Sequence, residues 1–405
     1  MQAAAQAAVQ AGVQAPVGAY DAVVIGGGVA GCGVAYHLAA RGARVAVVER
    51  GGLGDGTSSA THCNLSLHNR LPGPDFALAM ASVSTYERFV ADLGWELGYQ
   101  RRGSVLLVER EEDLPEVARR AAAQTAAGLR VEFLDGPALR RADPATAADL
   151  AGGALCRRSA WFDPGSLLRS YARAVRAAKG RVLTHTEATG IVVSRNRAVG
   201  VVTRAGRLTA GAVVVAAGAW AAGVAKMAGS RLTIIPERGQ VLVTERMPAL
   251  GAGIRTEFRR GHGPGFWLVL TQTESGNFLI GRCGDPAGWD RSVVPAAMAA
   301  VAARAARFVP ALGRAAVIRA FAGLRPYSAD GLPLLGPADG PVGLYVAAGL
   351  GDKGIGIGYG SALVAEMIAG EKTSLDATAF DPRRSTALGA AGTRPPQGGA
   401  GGEIE

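Results

Sequence analysis

Residues Asp21–Glu49 read DAVVIGGGVAGCGVAYHLAARGARVAVVE, and this stretch decides the fold. The apolar segment Ala22–Ile25 is short and rich in β-branched residues, which is typical of a parallel strand buried on both faces. Glycines end this segment, a helix-forming segment follows, and Val45–Val48 repeats the β-branched pattern. The order predicts a strand, a tight turn, a helix and a second parallel strand.

The glycines of the turn have the spacing of a dinucleotide-binding fingerprint. Gly26, Gly28 and Gly31 form G-x-G-x-x-G, which permits a tight turn, a close approach to a pyrophosphate and close packing of the helix. The helix N-terminus then stabilises the phosphates with its N–H groups and its dipole. Glu49 follows the second strand, where a carboxylate accepts hydrogen bonds from a ribose diol. The motif lies near the N-terminus, which favours FAD over NAD, although the fingerprint alone fits both.

Chain length and composition predict two domains. The chain has 405 residues, 49% of them apolar, and exceeds the size at which single domains usually stop growing. Its longest apolar stretches, such as Ala210–Ala219, are shorter than the roughly 20 residues that span a bilayer, so no transmembrane segment is predicted. We expect residues 1–19, rich in Ala and Gln and without a charged start, to be a disordered extension. Residues 382–405, rich in Gly, Ala, Thr and Pro, are expected to be a disordered tail.

Cysteine and charge patterns argue against other classes of protein. The four cysteines show no metal-ligand spacing, so no metal site is expected. A reducing, cytoplasmic compartment fits best, with attachment to the periphery of a membrane left open. The net charge of +10 comes from arginines scattered singly or in pairs. Without a basic stripe or interleaved aromatic residues, nucleic-acid binding is not expected.

Hydrophobic periodicity predicts an α/β fold with a discontinuous nucleotide domain. A Rossmann-like FAD-binding domain is predicted at residues 20–95, 161–230 and 322–381, with an inserted mixed-sheet substrate domain at 96–160 and 231–321. Predicted helices are 75–93, 111–127, 163–179, 296–308 and one that ends at residue 369. Predicted strands are 104–108, 181–183, 213–217, 232–243, 266–271, 277–281 and 344–348.

Seven short motifs follow one another along the chain. They are the glycine fingerprint, TSS at Thr57–Ser59, FDPGSLL at Phe162–Leu168, VVVAAGAW at Val213–Trp220, PERGQVLVTE at Pro236–Glu245, GLRPYSADGLPLLG at Gly323–Gly336 and AAGLGDKGIGIG at Ala347–Gly358. Together they resemble the D-amino-acid oxidase-like superfamily of FAD enzymes. That group contains glycine and sarcosine oxidases, D-amino-acid dehydrogenases and the flavin subunits of opine and proline dehydrogenases. The likeness covers roughly residues 20–371.

The resemblance implies which residues hold FAD. Glu49 and Arg50 would hold the adenosine ribose, Thr57 and Ser58 the pyrophosphate and flavin edge, and Ala188 would lie near the adenine. The closing glycine loop would pass the isoalloxazine ring, with the N-terminus of the last helix pointing at it. The further implied cofactor-binding residues are Gly218, Gly349, Gly351, Asp352, Lys353, Gly354 and Ile355.

Three features of the matched motifs bear on how FAD and the substrate would be bound. Sarcosine oxidases attach FAD through a cysteine near the arginine strand, but no cysteine lies between Phe321 and Leu335, so noncovalent FAD is expected. Lys353 is interpreted either as a stabiliser of reduced flavin or as a solvated loop lysine. Asp352 stands roughly where glycine oxidase has a basic residue, which would favour a substrate that carries an extra cation.

Arg325 is the strongest candidate for substrate binding. In the family's G-L-R-P pattern this arginine binds the substrate carboxylate, and a planar guanidinium suits that task because it pairs with both oxygens. The alternative is a purely structural ion pair. Tyr327 would line the pocket or pack in the core. His62 and His68 are interpreted as catalytic or flavin-linking residues, or as residues that cap their loop.

The resemblance implies an FAD-dependent amine or amino-acid dehydrogenase or oxidase. The substrate amine, held by Arg325, would deliver a hydride to flavin N5 and leave an imine that hydrolyses. Two alternatives stay open. One is an FAD oxidoreductase that acts on a 2-hydroxy acid or another alcohol, and the other is a flavin subunit with redox partners on another chain.

Overall fold

The computed structural model describes residues 16–251, 253–259 and 268–385. The chain divides into two compact units. The first contains the described residues up to Ser59, then Pro164–Ile235, and the described residues from Pro326 onwards. The second contains Ala60–Asp163 and the described part of Pro236–Arg325.

Helices and strands mostly alternate up to residue 177, and from there runs of three or four strands are separated by single helices. The helices are α1 (Val29–Ala39), α2 (Pro74–Ala91), α3 (Leu114–Ala126), α4 (Gly136–Ala142), α5 (Pro164–Ala177), α6 (Ala221–Lys226), α7 (Pro295–Phe308) and α8 (Ile357–Ala369). The strands are β1 (Pro16–Ile25), β2 (Val45–Val48), β3 (Asn64–Leu65), β4 (Ser104–Val108), β5 (Glu132–Asp135), β6 (Gly152–Cys156), β7 (Ala160–Trp161), β8 (Arg181–Leu183), β9 (Ala188–Ser194), β10 (Arg197–Thr203), β11 (Gly206–Val215), β12 (Ile235–Arg246), β13 (Ile254–Glu257), β14 (Val269–Gln272), β15 (Asn277–Asp285), β16 (Val317–Tyr327), β17 (Leu334–Pro337) and β18 (Leu344–Ala348). Within the described ranges, none of these helices combines the length and apolarity needed to cross a membrane.

The first unit is built on a largely parallel sheet. Its strand order is β17–β18–β11–β1–β2–β8, and β1 pairs in parallel with both β2 and β11. All four residues of β2 are buried, as expected of a strand covered on both faces. The predicted strand, turn, helix and second strand are confirmed here, and they lie at the centre of the sheet.

Several residues expected to be disordered belong to this unit instead. Strand β1 begins at Pro16, because the four residues before Tyr20 extend the pairing with β11. At the other end, Arg384 donates a hydrogen bond from Nε to Asp330 Oδ2 at 2.7 Å, and Ser385 Oγ accepts one from the Thr233 N–H at 2.8 Å. The rest of both predicted disordered segments lies outside the described residues.

A three-stranded antiparallel extension was only partly predicted. Sequence periodicity indicated a strand at residues 213–217, whereas β11 runs from Gly206 to Val215 and pairs with β10, which pairs with β9. The turn between β9 and β10 places Arg195 and Asn196 at φ 49° and 56°, a conformation that arginine seldom adopts. Because the turn lacks the usual glycine, the sequence carries a weak hairpin signal.

The second unit has a mixed sheet with a helix on one face. The strand order is β16–β12–β15–β14–β13–β4–β6–β5. The core against α7 contains Leu242 of β12, Phe278 and Ile280 of β15, and Val301 and Phe308 of α7. Side chains alternate across a strand, so the even-numbered residues of β12 face α7 and the odd-numbered ones face the opposite side.

The opposite face of this sheet is rich in glycine. Gly239 pairs with Gly284, and Val241 pairs with Gly281, so all these positions share the face away from α7. A Cβ on Gly281 would overlap the His62 imidazole, and a Cβ on Gly323 of β16 would overlap the Ala60 methyl group. The segment that begins at Ala60 therefore lies directly on the glycines.

The two units differ from the predicted domains by three to five residues at three boundaries and by one longer segment. The longer segment, residues 60–95, belongs to the second unit, whereas these residues were predicted to lie in the FAD-binding domain. Their contacts explain the assignment: Tyr86 of α2 stacks on Phe162 with ring centroids 5.1 Å apart, and Arg158 pairs with Glu87. The functional domain boundaries stay a prediction.

Candidate functional site

The turn between β1 and α1 has no room for side chains at two of its glycines. Gly26 has φ +120°, and a Cβ on it would overlap the Ala216 carbonyl. A Cβ on Gly31 would overlap the Gly26 carbonyl. At Gly28 the situation differs, because the nearest atom to its missing Cβ is Ser58 Oγ at 3.1 Å. The space above Gly28 is therefore closed only by one small hydroxyl group.

The loop after β2 folds back onto this turn. The Gly54 N–H donates to the Gly27 carbonyl at 3.0 Å, and Ser58 Oγ accepts a hydrogen bond from the Val29 N–H at 3.1 Å. Since the first N–H groups of a helix have no partners within the helix, Ser58 completes the N-terminus of α1. The structure thus brings the predicted Ser58 to the glycine fingerprint.

Glu49 fixes the backbone around the glycines. Its Oε2 accepts a hydrogen bond from the Gly27 N–H at 2.7 Å, and its Oε1 accepts one from the Gly51 N–H at 2.8 Å. Its own N–H donates to the Leu183 carbonyl of β8. The carboxylate is therefore held at the carboxyl end of β2, where the ribose-binding acid was predicted.

Arg50 lines a cavity at the same end of the sheet, and Ala188 directly follows another of its lining residues, Glu187. The Arg50 guanidinium carbon is 4.1 Å from the centroid of the Trp220 ring, a cation–π contact. The Thr186 N–H donates to the Glu49 carbonyl, which places Ala188 two residues from that contact. The cavity has a volume of about 240 Å³ and is lined by Arg50, His185, Thr186, Glu187, Arg204 and Ala205.

Thr57 and Gly218 are neighbours. The hypothetical Cβ of Gly218, which has φ +54°, would lie 3.8 Å from Thr57 Oγ1. Gly218 begins a short 3-10 turn, Gly218–Trp220, directly after β11, and Thr57 begins another, Thr57–Ser59. Both predicted cofactor residues therefore stand in turns of the first unit.

The loop between β18 and α8 packs tightly around Tyr327. Gly349 and Gly351 have φ +68° and +48°, and a Cβ on Gly351 would come 2.5 Å from the Tyr327 ring. The Gly351 N–H donates to the Pro326 carbonyl at 2.7 Å. Tyr327 is 6% exposed, which agrees with the packing interpretation, and its part in the substrate pocket stays a prediction. By contrast, a Cβ on Gly354 would meet no atom within 4 Å.

Lys353 is buried, which rules out its interpretation as a solvated lysine. The residue is 8% exposed, and its Nζ lies 3.8 Å from Asp352 Oδ1. The short turn Gly354–Gly356 leads into α8, so a buried cation and a helix N-terminus follow each other in the chain. Ile355 is part of that turn, and its side chain lies outside the described atoms. The flavin contacts of this loop stay predictions.

Arg325 forms an ion pair, as in the alternative interpretation of this residue. Its Nη1 donates to Glu237 Oε1 at 3.1 Å, with side-chain exposures of 15% for Arg325 and 2% for Glu237. Among the described residues, Nε and Nη2 of Arg325 make no hydrogen bond. Glu237 was missed because a glutamate inside the PERGQ strand gives no sequence signal of its own, and its partner is 88 residues away.

His68 is a buried neutral residue of the second unit. Its Nδ1 forms a hydrogen bond with Ser104 Oγ, and Ser104 donates to Ser159 Oγ at 2.7 Å. Burial lowers the pKa of His68 from 6.5 to about 4, since a charged imidazole would lose its hydration. This bonding supports the loop-capping interpretation of His68.

The comparisons with known proteins agree with this arrangement. The family model of the FAD dependent oxidoreductases (DAO) matches residues 21–367. The chain belongs to this family. The oxidoreductase is 31% identical to a glycine oxidase of Geobacillus kaustophilus over 383 residues, which cover 90% of this chain and 97% of that protein. It is 32% identical to the hydrogen cyanide synthase subunit HcnC of Pseudomonas aeruginosa over 375 residues, which cover 82% of this chain and 87% of that one.

A solved structure is similar over nearly the whole described chain. The crystal structure of the glycine oxidase from Geobacillus kaustophilus superposes with a TM-score of 0.83 at 28% sequence identity. The superposition covers 90% of this chain and 99% of the other. The predicted fold class and family are therefore confirmed.

The first unit of the oxidoreductase fits its family's cofactor. FAD contains a pyrophosphate, which must approach the backbone closely. Gly28 permits this approach because it has no side chain and the only atom near its hypothetical Cβ is Ser58 Oγ. The α1 N-terminus supplies N–H groups and positive potential without a basic side chain. FAD is therefore the cofactor of this enzyme, and its individual contacts stay predictions.

We expect Glu49→Ala to weaken FAD affinity about fivefold to hundredfold. Removing the carboxylate leaves the ribose hydroxyl groups of bound FAD without their predicted acceptor, at a cost of about 1–3 kcal/mol. FAD released by acid and titrated back onto the apoprotein gives the dissociation constant, and complete release by acid also tests noncovalent attachment. Glu371→Ala is the control, since Glu371 pairs with Arg41 at the surface. Unchanged affinity in the Glu49 variant would show that the acid is misassigned.

We expect His68 to make the protein less stable as the pH falls from about 6.5 towards 4. The unfolded state binds a proton in this range and the folded state does not, so stability is complete above the unfolded pKa and is lost towards the folded one. The slope approaches about 1.4 kcal/mol per pH unit. Unfolding midpoints measured against pH should show a flatter dependence in His68→Asn. An identical slope in both proteins would contradict the assignment.

Proposed function

We propose that this oxidoreductase oxidises the C–N bond of a small amino acid or N-substituted amino acid. The observation that carries the proposal is Arg325, whose guanidinium is fixed through Nη1 while Nε and Nη2 have no hydrogen-bond partner among the described residues. A planar edge with two N–H donors matches the two oxygens of a carboxylate. The similarity to a glycine oxidase at 31% identity supports the same class of substrate.

The chain's own groups bind and orient the substrate. Arg325 would hold the carboxylate, and holding a reactant in the productive orientation supplies much of the rate. Bound FAD would accept the hydride that leaves the substrate's α-C–H bond, while the amine nitrogen loses a proton and the C–N bond becomes the C=N bond of an imine. Water then hydrolyses the substrate imine to an amine and an oxo acid.

Lys353 and the start of α8 provide positive potential in the loop after β18. A helix N-terminus carries about half a positive charge, and the buried Lys353 ammonium adds to it. Both would stabilise negative charge that develops on the reduced cofactor. Asp352 pairs with Lys353 at 3.8 Å and would temper this potential.

A second candidate function is that of a flavin subunit in a larger complex. The relative in Pseudomonas aeruginosa is a subunit of a hydrogen cyanide synthase, and it matches 82% of this chain. Expression of the tagged chain in its native host, followed by purification and mass spectrometry, tests this candidate. A stoichiometric partner protein would support it, and full turnover by the isolated chain with a redox dye would contradict it.

The isolated oxidoreductase should be reduced by an amino acid in the absence of oxygen. A panel of glycine, N-alkyl glycines, D- and L-amino acids and proline is mixed anaerobically with the enzyme, and bleaching of the flavin absorbance is followed. We expect rapid bleaching with at least one carboxylate-bearing amine. Bleaching by 2-hydroxy acids alone would overturn the proposal in favour of alcohol oxidation.

Replacing Arg325 should lower kcat/KM for the best amino acid by about 30-fold to several thousandfold. Truncating one side of a desolvated charge pair costs roughly 2–5 kcal/mol. Arg325→Ala tests the whole side chain, and Arg325→Lys keeps the ion pair with Glu237 but lacks the planar fork. Arg319→Ala, an exposed arginine of the same strand, is the control. FAD content should stay normal, and an unchanged efficiency in both Arg325 variants would exclude the carboxylate clamp.

A further inference from the structure

Two glycines make a trough in the second sheet. Gly239 of β12 and Gly284 of β15 are direct cross-strand partners. Residues paired in this way direct their Cβ atoms to the same face, about 5 Å apart. Because neither residue has a Cβ, the face away from α7 is open above both backbones.

The Arg325 guanidinium lies flat in this trough. A Cβ on Gly239 would come 2.5 Å from its Cζ, 2.6 Å from Nη2 and 2.7 Å from Nη1. These three nearly equal distances mean that the flat face of the group rests over Gly239. The N–H edges therefore point sideways along the sheet surface.

Glu237 occupies the same trough and fixes one end of the guanidinium. Its Oε1 accepts the hydrogen bond from Nη1, and a Cβ on Gly284 would come 2.5 Å from that oxygen. Glu237 is 1% exposed, so its position is set by the packing around it. The Nε and Nη2 edge of Arg325 is left as the side on which a ligand could pair with two donors.

Arg238, a neighbour of Glu237 in the chain, is an arginine whose three side-chain nitrogens all donate hydrogen bonds. Arg238 lies on the other face of β12, and its Nε and Nη2 donate to the two oxygens of Asp285, each at 3.0 Å. Its Nη1 donates to Asp290 at 2.6 Å. All three nitrogens of Arg238 are engaged, whereas Arg325 is engaged at one.

We propose that Glu237 is a positioning residue that holds Arg325 by Nη1 in the Gly239–Gly284 trough and presents its Nε–Nη2 edge to the substrate carboxylate. This inference rests on the proposed function. An arginine that is already ordered loses less conformational entropy when it binds. Glu237 therefore acts through Arg325 on substrate affinity and not on the oxidation step.

The test compares four variants in steady-state kinetics with the best amino acid and in inhibition by acetate, a carboxylate without an amine. Glu237→Ala removes the acceptor, and we expect KM and the acetate inhibition constant to rise about tenfold, with kcat within about threefold. Glu237→Gln keeps an acceptor oxygen and should recover most of that affinity. Gly239→Ala keeps Glu237 but pushes aside the end of the flexible Arg325 side chain, and it should resemble Glu237→Ala. Gly313→Ala is the control, because its Cβ would meet only the Ala306 methyl group at 3.6 Å.

A double variant separates positioning from a purely structural role. If Glu237 acts through Arg325, Glu237→Ala should raise KM no further in an Arg325→Ala background. An additional increase there, an unchanged KM in both Glu237→Ala and Gly239→Ala, or a loss of FAD and kcat at constant KM would overturn the inference. An Arg325→Ala variant with normal KM would instead refute the proposed clamp itself, so the two failures are distinguishable.

Discussion

Both units depend on atoms that approach the backbone so closely that only glycine leaves room for them. In the first unit, the carbonyl of Gly26 occupies the space where Gly31 would carry a side chain, and the Ala216 carbonyl does the same at Gly26. A methyl group at Gly31 would push α1 away from β1, and one at Gly26 would push the turn away from Ala216. The helix N-terminus would then move out of the turn. Glu49 would lose the hydrogen bond that it accepts from the Gly27 N–H, and Ser58 would lose the one that it accepts from the Val29 N–H.

In the second unit, the same absence of Cβ atoms makes room for a pair of charged side chains. Its paired glycines, Gly239 and Gly284, make room for a guanidinium and a carboxylate that lie against the sheet. Burying such a pair costs desolvation free energy, which well-packed apolar residues would avoid. The pair therefore lowers the stability of the folded protein, and it leaves the Nε–Nη2 edge of Arg325 for the proposed ligand.

Burial alone does not distinguish this pair from structural ones. Arg255 and Asp143 are both 0% exposed and joined at 2.6 Å, and Arg238 is saturated by two aspartates. Arg325 differs because its side chain is 15% exposed and because its single hydrogen bond among the described residues leaves two nitrogens available. This difference in the number of engaged nitrogens is what supports the proposed role of Arg325 in binding a carboxylate.

The sequence by itself determined the β1–α1–β2 unit and the family. It also singled out the candidate binding residues Gly26, Gly28, Gly31, Glu49 and Arg325. These follow from neighbours within one turn or from ordered motifs, because strand periodicity, glycine spacing and capping are local effects. Only the tertiary structure decided that Glu237 pairs with Arg325, that Lys353 is buried and that β1 begins at Pro16. Each of these depends on strand pairing or packing between residues far apart in the chain, and a side chain's partner across a sheet leaves no trace in the local pattern.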